Sequence, residues 1–149
     1  MKNILFLCTG NSCRSVLAEA YMNHIGRDFD WQAFSAGSTP SGAVHPAALE
    51  TLTDLGIEAG YARSKSWDEF GGNEAPEMDA IVTVCDNAAG ETCPIWPGHP
   101  TTYHWPFPDP AKFSGTPEEA RTHFREVFAM IKARLDAFLK EQSVCEKNS

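Results

Sequence analysis

The chain has 149 residues, of which 42% are hydrophobic and 21% charged, and this suits one domain whose core needs no disulfide or metal for stability. Its 12 basic and 20 acidic residues give a net charge of −8, which excludes a broadly basic surface for nucleic acid or anionic membranes. No apolar run is long enough to span a membrane, and the run after Met1 is too short for a secretory signal. We therefore expect a cytoplasmic protein that binds neither nucleic acid nor membranes.

Short apolar runs in the sequence predict strands, and apolar residues that recur at three- and four-residue steps predict helices. The two kinds of pattern alternate along the chain. In chain order the elements are a strand at residues 4–7, a helix at 14–26, a strand at 31–37, a helix at 45–56, strands at 79–85 and 101–105, and a helix from Thr116. The last helix opens with a capping box and carries an apolar stripe that we expect to pack into the core.

Strands that alternate with helices predict an α/β fold, with an open parallel sheet of about four strands and helices on both faces. We expect residues 1–142 to form a single catalytic domain and residues 143–149 to form a polar tail. Ligands of such sheets bind beyond the carboxyl ends of the strands, near the point where the strand order reverses. Cys8, Cys85 and the segment after Trp105 all follow predicted strands, so we expect them to meet at one edge of the sheet.

The segment CTGNSCRS joins the first predicted strand to the first helix, and its residue types favour an oxyanion site. Gly10 and Asn11 tolerate a positive φ better than other residues, which lets successive loop N–H groups turn inward. Such a concave loop at a helix N-terminus binds a tetrahedral oxyanion, and Arg14 adds a fork of donors. The same field is expected to lower the pKa of Cys8, and Ser15 can donate a hydrogen bond to the thiolate.

In this position the loop resembles the active-site loop of the low-molecular-weight protein tyrosine phosphatases, and most closely that of the arsenate reductases that share their fold. The resemblance extends over essentially the whole chain and places this phosphate-binding loop at the first strand–helix junction. It implies that Cys8 is the nucleophile, Arg14 the anion clamp and Ser15 the stabiliser of the thiolate. It also implies an oxyanion cradle made of six loop residues: Thr9, Gly10, Asn11, Ser12, Cys13 and Arg14.

Asp109 lies between two prolines in WPFPDPAK, and we predict that it is the general acid. Prolines fix the backbone on both sides and can aim one carboxyl group at the oxygen that is expelled. The resemblance supports this role, because the family's acid is an Asp-Pro pair. In the phosphatases tyrosines usually follow that pair and help to hold an aryl phosphate. Here the next residues are Ala111, Lys112 and Phe113, and this departure favours a reductase over a phosphotyrosine phosphatase.

Cys85 and Cys93, in VTVCDNAAGETCP, resemble the redox segment of the thioredoxin-coupled arsenate reductases. The resemblance implies that Cys8 attacks arsenate, that Cys85 then attacks Cys8 while arsenite leaves, and that Cys93 finally releases Cys8 from Cys85. In a helix the Cα atoms of residues 85 and 93 would be about 12 Å apart. A disulfide tolerates no more than about 7 Å, so this segment is expected to refold during turnover.

The sequence therefore predicts an arsenate reductase, an oxidoreductase with residual phosphatase activity. Phosphate and sulfate are expected to compete with arsenate. We expect no metal and no tightly bound cofactor, a monomeric protein, and regeneration by thioredoxin. Two enzymatic alternatives stay open: a reductase coupled to glutathione and glutaredoxin that uses mainly Cys8, and a low-molecular-weight protein tyrosine phosphatase that uses Cys8, Arg14 and Asp109. A third alternative is a non-catalytic oxyanion-binding module, which would leave Asp109 and the paired cysteines without a role.

Overall fold

The fold is known from a computed structural model that describes residues 2–11, 13–70, 77–84, 101–108, 110 and 115–147. These residues form a four-stranded parallel sheet: β1 (Lys2–Cys8), β2 (Trp31–Gly37), β3 (Ala80–Thr83) and β4 (Thr101–His104). They also form the helices α1 (Arg14–Gly26), α2 (Pro46–Asp54) and α3 (Pro117–Lys147), and short 3₁₀ helices at Arg27–Phe29 and Trp67–Phe70. The predicted parallel α/β sheet is thus confirmed.

The strand order β2-β1-β3-β4 determines where a ligand site can form. The chain leaves β1 for β2 on one side and returns to β3 on the other, so the strand order reverses at β1. The carboxyl end of β1 is Cys8, which lies opposite Gly37 of β2 in the parallel register. The loop that follows Cys8 therefore lies at the switch point, where ligands of open parallel sheets bind.

β1 is buried on both faces of the sheet, as its continuous apolar run predicts. Ile4, Phe6 and Cys8 pack into one core cluster with side chains from all three α-helices. Leu5 and Leu7 pack into a second cluster on the opposite face, where the 3₁₀ helix at Trp67–Phe70 covers them. In the described part of the chain, the α-helices thus cover one face and a short 3₁₀ helix contributes to the other.

α1 is more deeply buried than its predicted apolar stripe indicates. Every residue from Ser15 to Met22 is buried, including Glu19. The reason is tertiary, because α1 contacts β1 and β2 below it and both other α-helices beside it. A helix enclosed in this way exposes little polar surface, so the polar side chains that it does carry must find partners inside the protein.

The ends of the other two helices follow their sequence signals. His45 caps α2, since its Nδ1 accepts from the Ala47 N–H at 3.1 Å. At α3 the predicted capping box is formed, because Thr116 Oγ1 accepts from the Glu119 N–H at 3.1 Å. α3 continues to Lys147 and so extends into the segment that the sequence indicated as a polar tail. None of the helices in the described ranges is both long and apolar enough to cross a membrane.

Candidate active site

Among the described residues of the loop between β1 and α1, Asn11 has a left-handed backbone conformation. Its φ is 46°, in the left-handed region that asparagine tolerates better than most residues. Gly10, the other residue expected to supply a positive φ, does not have one. α1 begins just beyond the loop, with the Leu17 N–H donating to the Cys13 carbonyl at 2.8 Å. The amino end of α1 therefore faces the loop, as an anion site requires.

The segment that follows β2 braces the loop from one side. The Thr39 N–H donates to the Thr9 carbonyl at 2.9 Å, and the Ser41 N–H donates to the Gly10 carbonyl at 3.0 Å. Gly37 lies so close that a Cβ on it would be 2.6 Å from the Thr9 carbonyl oxygen. These bonds hold the Thr9 and Gly10 carbonyls on this side, which is the arrangement of a loop whose N–H groups turn toward a ligand.

A second segment, residues 63–66, braces the loop from another side. Ser64 Oγ donates to the Gly10 carbonyl at 3.0 Å, and the backbone N–H of Lys65 donates to Asn11 Oδ1 at 2.9 Å. The Lys65 carbonyl in turn accepts from the Gly37 N–H at 2.9 Å. A backbone N–H can only donate, so the bond from Lys65 fixes which end of the Asn11 amide is oxygen.

The Asn11 amide nitrogen links the loop to buried polar groups behind it. It donates to Ser15 Oγ at 2.8 Å and to Ser35 Oγ at 3.0 Å. Ser35 Oγ in turn donates to Glu19 Oε1 at 2.9 Å. We call this set of four residues, Glu19, Ser35, Asn11 and Ser15, the Asn11 network. Because Ser15 Oγ is the acceptor in its bond with Asn11, its own proton is available to another acceptor.

Glu19 and Lys65 are ionisable groups buried behind the loop, only 5% and 8% exposed. Burial raises the pKa of the Glu19 carboxyl, while the positive charge of Lys65, the bond from Ser35 and the charge of Arg63 oppose the rise. Burial likewise lowers the pKa of Lys65, and the negative charge of Glu19 opposes that change. Lys65 Nζ also donates to the Arg63 carbonyl at 3.0 Å.

Arg14 connects the loop to the segment that follows β4. Its Nη1 donates to the Phe107 carbonyl at 3.1 Å. That segment continues along the end of β3, since the Trp105 N–H donates to the Thr83 carbonyl at 2.9 Å and the Phe107 N–H to the Val84 carbonyl at 3.1 Å. The residue that accepts from Arg14, Phe107, comes two residues before Asp109 in the sequence.

The end of β3 also approaches the end of β1. The Val84 N–H donates to the Leu7 carbonyl at 2.8 Å. Val84 directly precedes Cys85 in sequence, and Leu7 directly precedes Cys8. The chain segments that lead into the two cysteines thus run side by side at the carboxyl edge of the sheet.

The described residues include part of the predicted site. Cys8 and Cys13 are buried thiols, 3% and 2% exposed, and Ser15 is fully buried. Thr9, Gly10 and Asn11 form the loop together with Cys13 and Arg14. Four predicted site residues lie outside the described residues: Ser12, Cys85, Cys93 and Asp109. Across the described ranges, no group of three or more His, Cys, Asp or Glu side chains could hold a metal ion.

The supporting residues Ser35, Glu19, Ser64 and Lys65 were not among the predicted site residues. Two of them have a signal in the sequence, because a serine in the buried strand β2 and a glutamate in the buried helix α1 each need an internal partner. Ser64 and Lys65 have no such signal, since they lie in a polar stretch between elements.

Comparisons with known proteins agree with this geometry. A family model for the low molecular weight phosphotyrosine protein phosphatases matches residues 3–149, so the chain belongs to that family. Arsenate reductases from Shouchella clausii and Bacillus subtilis are each 39% identical to it over 137 residues, which is 92% of this chain and 94% of each relative. A solved structure of an arsenate reductase in the phosphate binding state is 27% identical, with a TM-score of 0.75 over 95% of this chain and 98% of that chain. The predicted resemblance is confirmed.

Proposed function

We propose that this protein is an arsenate reductase that uses Cys8 as its nucleophile. The observation that carries the proposal is the hydrogen bond from the Val84 N–H to the Leu7 carbonyl, 2.8 Å long. It supports a close approach of Cys85 to Cys8, which a reductase needs and a phosphatase does not. The arsenate reductases that are 39% identical to this chain support the same activity.

The first step is attack of the Cys8 thiolate on arsenate. The loop N–H groups and Arg14 hold the oxyanion, and their positive field stabilises both the thiolate and the charge that develops on oxygen. Asp109 protonates the oxygen that leaves, so water departs and a bond between sulfur and As(V) forms. The pairing of Arg14 with the Phe107 carbonyl supports this role, because Asp109 follows Phe107 by two residues.

The second step reduces arsenic. Cys85 attacks the sulfur of Cys8, and the electron pair of the sulfur–arsenic bond passes to arsenic. Arsenite leaves, and the two sulfur atoms are oxidised to a Cys8–Cys85 disulfide. Cys93 then attacks Cys85, which returns Cys8 as a thiolate and leaves a Cys85–Cys93 disulfide. Thioredoxin reduces that disulfide by thiol exchange and becomes oxidised itself.

The proposed chemistry also bears on the cellular compartment of the enzyme, on its reductant and on the anions that compete with arsenate. The relay needs reduced cysteines before each turnover, so we assign the protein to the cytoplasm. We also propose that it acts as a monomer, since a single chain carries all three relay cysteines. All the electrons come from an external thiol reductant, and no tightly bound cofactor is required. Phosphate and sulfate have the shape of arsenate and compete for the loop. Residual phosphatase activity follows from the same loop and from the family to which the chain belongs.

The test is NADPH oxidation in the presence of arsenate, coupled once to thioredoxin and thioredoxin reductase and once to glutathione and glutaredoxin. We expect turnover with thioredoxin. The variant Cys93→Ser should reduce one equivalent of arsenate and then stop, whereas Cys145→Ser, the matched control outside the relay, should turn over normally. Turnover of Cys93→Ser with glutaredoxin at the wild-type rate would support the route that uses mainly Cys8. Absence of arsenate-dependent turnover in both systems, with hydrolysis of an aryl phosphate instead, would refute the reductase proposal.

A further inference from the structure

The Gly10 carbonyl oxygen accepts two hydrogen bonds, one from each of the segments that brace the loop. The Ser41 N–H donates to it at 3.0 Å, and Ser64 Oγ donates to it at 3.0 Å. A carbonyl oxygen has two lone pairs, so both of them are used here. Two donors on different segments fix the direction of this carbonyl more firmly than a single donor would.

The direction of the Ser64 hydroxyl follows from its two partners. The Gly42 N–H donates to Ser64 Oγ at 3.1 Å, and a backbone N–H can only donate. The Gly10 carbonyl can only accept, so the single proton of the Ser64 hydroxyl must point to it. The Ser64 side chain thus ties the segment that follows β2 to the loop.

The Gly10 carbonyl belongs to the same peptide unit as the Asn11 N–H. The described residues contain no cis peptide bond, so this unit is trans. In a planar trans unit the C=O and the following N–H point in opposite directions. Because Ser41 and Ser64 hold the carbonyl on the side of the bracing segments, the Asn11 N–H points away from those segments.

The three bonds that hold this part of the loop differ in whether a substitution can remove them. Ser41 holds the Gly10 carbonyl, and Lys65 holds Asn11 Oδ1 at 2.9 Å, in both cases through a backbone N–H that every residue but proline retains. Ser64 is the one of these three donors that uses its side chain. Its hydroxyl is therefore a contact that a point substitution can remove while the backbone N–H groups stay in place.

We propose that Ser64 is a positioning residue for the oxyanion, and that it acts through the Gly10 carbonyl by aiming the Asn11 N–H at the anion. Arsenate is the anion during turnover, and phosphate replaces it for measurement. Without the hydroxyl, the carbonyl retains only the Ser41 donor, so the peptide unit is held less firmly and the bond from Asn11 to the anion weakens. The inference rests on the proposed binding of the oxyanion by the loop, and it needs no step of the cysteine relay.

The experiment compares Ser64→Ala with Ser64→Thr in the full chain, with inorganic phosphate as the probe. Alanine removes the hydroxyl, and threonine keeps it. Titration calorimetry should show that Ser64→Ala raises the Kd of phosphate about fivefold, the effect of one weakened hydrogen bond, whereas Ser64→Thr stays within about twofold of wild type. Thr122→Ala is the matched control, because it removes another hydroxyl that donates to a backbone carbonyl, at 3.1 Å on α3. That control should also stay within about twofold of wild type.

NMR of the backbone amides tests the route through the peptide unit. In wild type, phosphate should move the Asn11 amide proton downfield, as a hydrogen bond to an anion does. At saturating phosphate this movement should be smaller in Ser64→Ala and restored in Ser64→Thr. A residue that only stabilised the fold would leave the movement unchanged once the site is saturated.

Three results would overturn the proposal. The first is a Kd of phosphate in Ser64→Ala equal to that of wild type, and the second is an equal loss of affinity in Thr122→Ala. The third is a weaker Kd in Ser64→Ala with a full downfield movement of the Asn11 proton, which would assign the loss to the tie with Gly42. If Ser64→Ala does not fold, wild type gives the answer, since bound phosphate without scalar coupling between its phosphorus and the Asn11 nitrogen contradicts the inference.

These readouts are independent of arsenate turnover. If wild type reduces arsenate but Ser64→Ala binds phosphate as wild type does, only the positioning role fails. If wild type does not reduce arsenate but Ser64→Ala weakens phosphate binding and the response of the Asn11 proton, the proposed function fails and the positioning role stands.

Discussion

Replacement of Asn11 by alanine tests how much the loop depends on a single side chain. The Asn11 amide makes three buried hydrogen bonds, two as donor and one as acceptor. At about 1 kcal/mol each, their loss costs about 3 kcal/mol. Alanine also tolerates the φ of 46° less well than asparagine, which adds about 1 kcal/mol. We therefore expect a loss of about 4 kcal/mol in the free energy of unfolding, a large part of the roughly 5–15 kcal/mol of a typical domain.

Urea unfolding measures this loss, and Asn23→Ala is the matched control. The Asn23 amide also makes three hydrogen bonds, with Ala33 and Tyr61, but it is further from the loop and partly open to water. Its replacement should cost less, about 1–2 kcal/mol, because water takes over part of the bonding. It should also leave the rate of Cys8 alkylation by iodoacetamide unchanged at each pH, whereas Asn11→Ala should slow that alkylation at least tenfold.

Two results would refute the reasoning about Asn11. The first is a stability loss below about 1 kcal/mol, which would mean that the buried partners find other bonds. The second is an equal effect of Asn11→Ala and Asn23→Ala on Cys8, which would trace the change in reactivity to general destabilisation instead of loop shape.

Three further predictions concern other parts of the fold. Gly37→Ala should cost about 1–3 kcal/mol and weaken phosphate binding, measured by calorimetry, because its Cβ would lie 2.6 Å from the Thr9 carbonyl oxygen. Thr116→Ala should lower the free energy of unfolding by about 1 kcal/mol in urea titrations, through loss of the N-cap of α3, without a change in arsenate turnover. Burial and the bond to Asp136 raise the pKa of Tyr21 above its ordinary value of 10.0. The folded state thus holds this proton more tightly than the unfolded chain, so stability should fall as the pH rises above 10, and Tyr21→Phe should flatten that fall in thermal denaturation curves.

The sequence predicts the sheet well because its signals there are local. β2 begins and ends at the predicted residues, and α1 does so too. β1 starts two residues before its apolar run, at Lys2, because its first residues pair with the start of β2. β3 ends at Thr83 and β4 at His104, slightly before their predicted ends. Pairing between neighbouring strands therefore sets where each strand ends, and the hydrophobic periodicity of the sequence does not reveal that pairing.

The support of the loop is less predictable because it depends on long-range contacts. Asn11 is 24 residues from Ser35 and 54 residues from Lys65 in sequence. A single sequence shows that Ser35 and Glu19 are polar residues among apolar ones, but it does not show which partners they meet. The loop itself is local, and its thiol, arginine and serine could be recognised without the structure. What the structure adds is the wall behind the loop, and that wall contains two buried ionisable residues, Glu19 and Lys65.

The groups around the loop also bear on how an acidic protein holds an anion. With a net charge of −8, the overall field of the protein opposes an oxyanion, so attraction must come from short-range groups. The loop N–H groups, the amino end of α1 and Arg14 supply it over a few ångströms. A buried carboxylate connected to the loop would cancel part of this attraction, because charges interact more strongly away from water. Ser35 Oγ donates to Glu19 Oε1 at 2.9 Å, and this bond, together with the positive charge of Lys65, opposes that repulsion behind the loop.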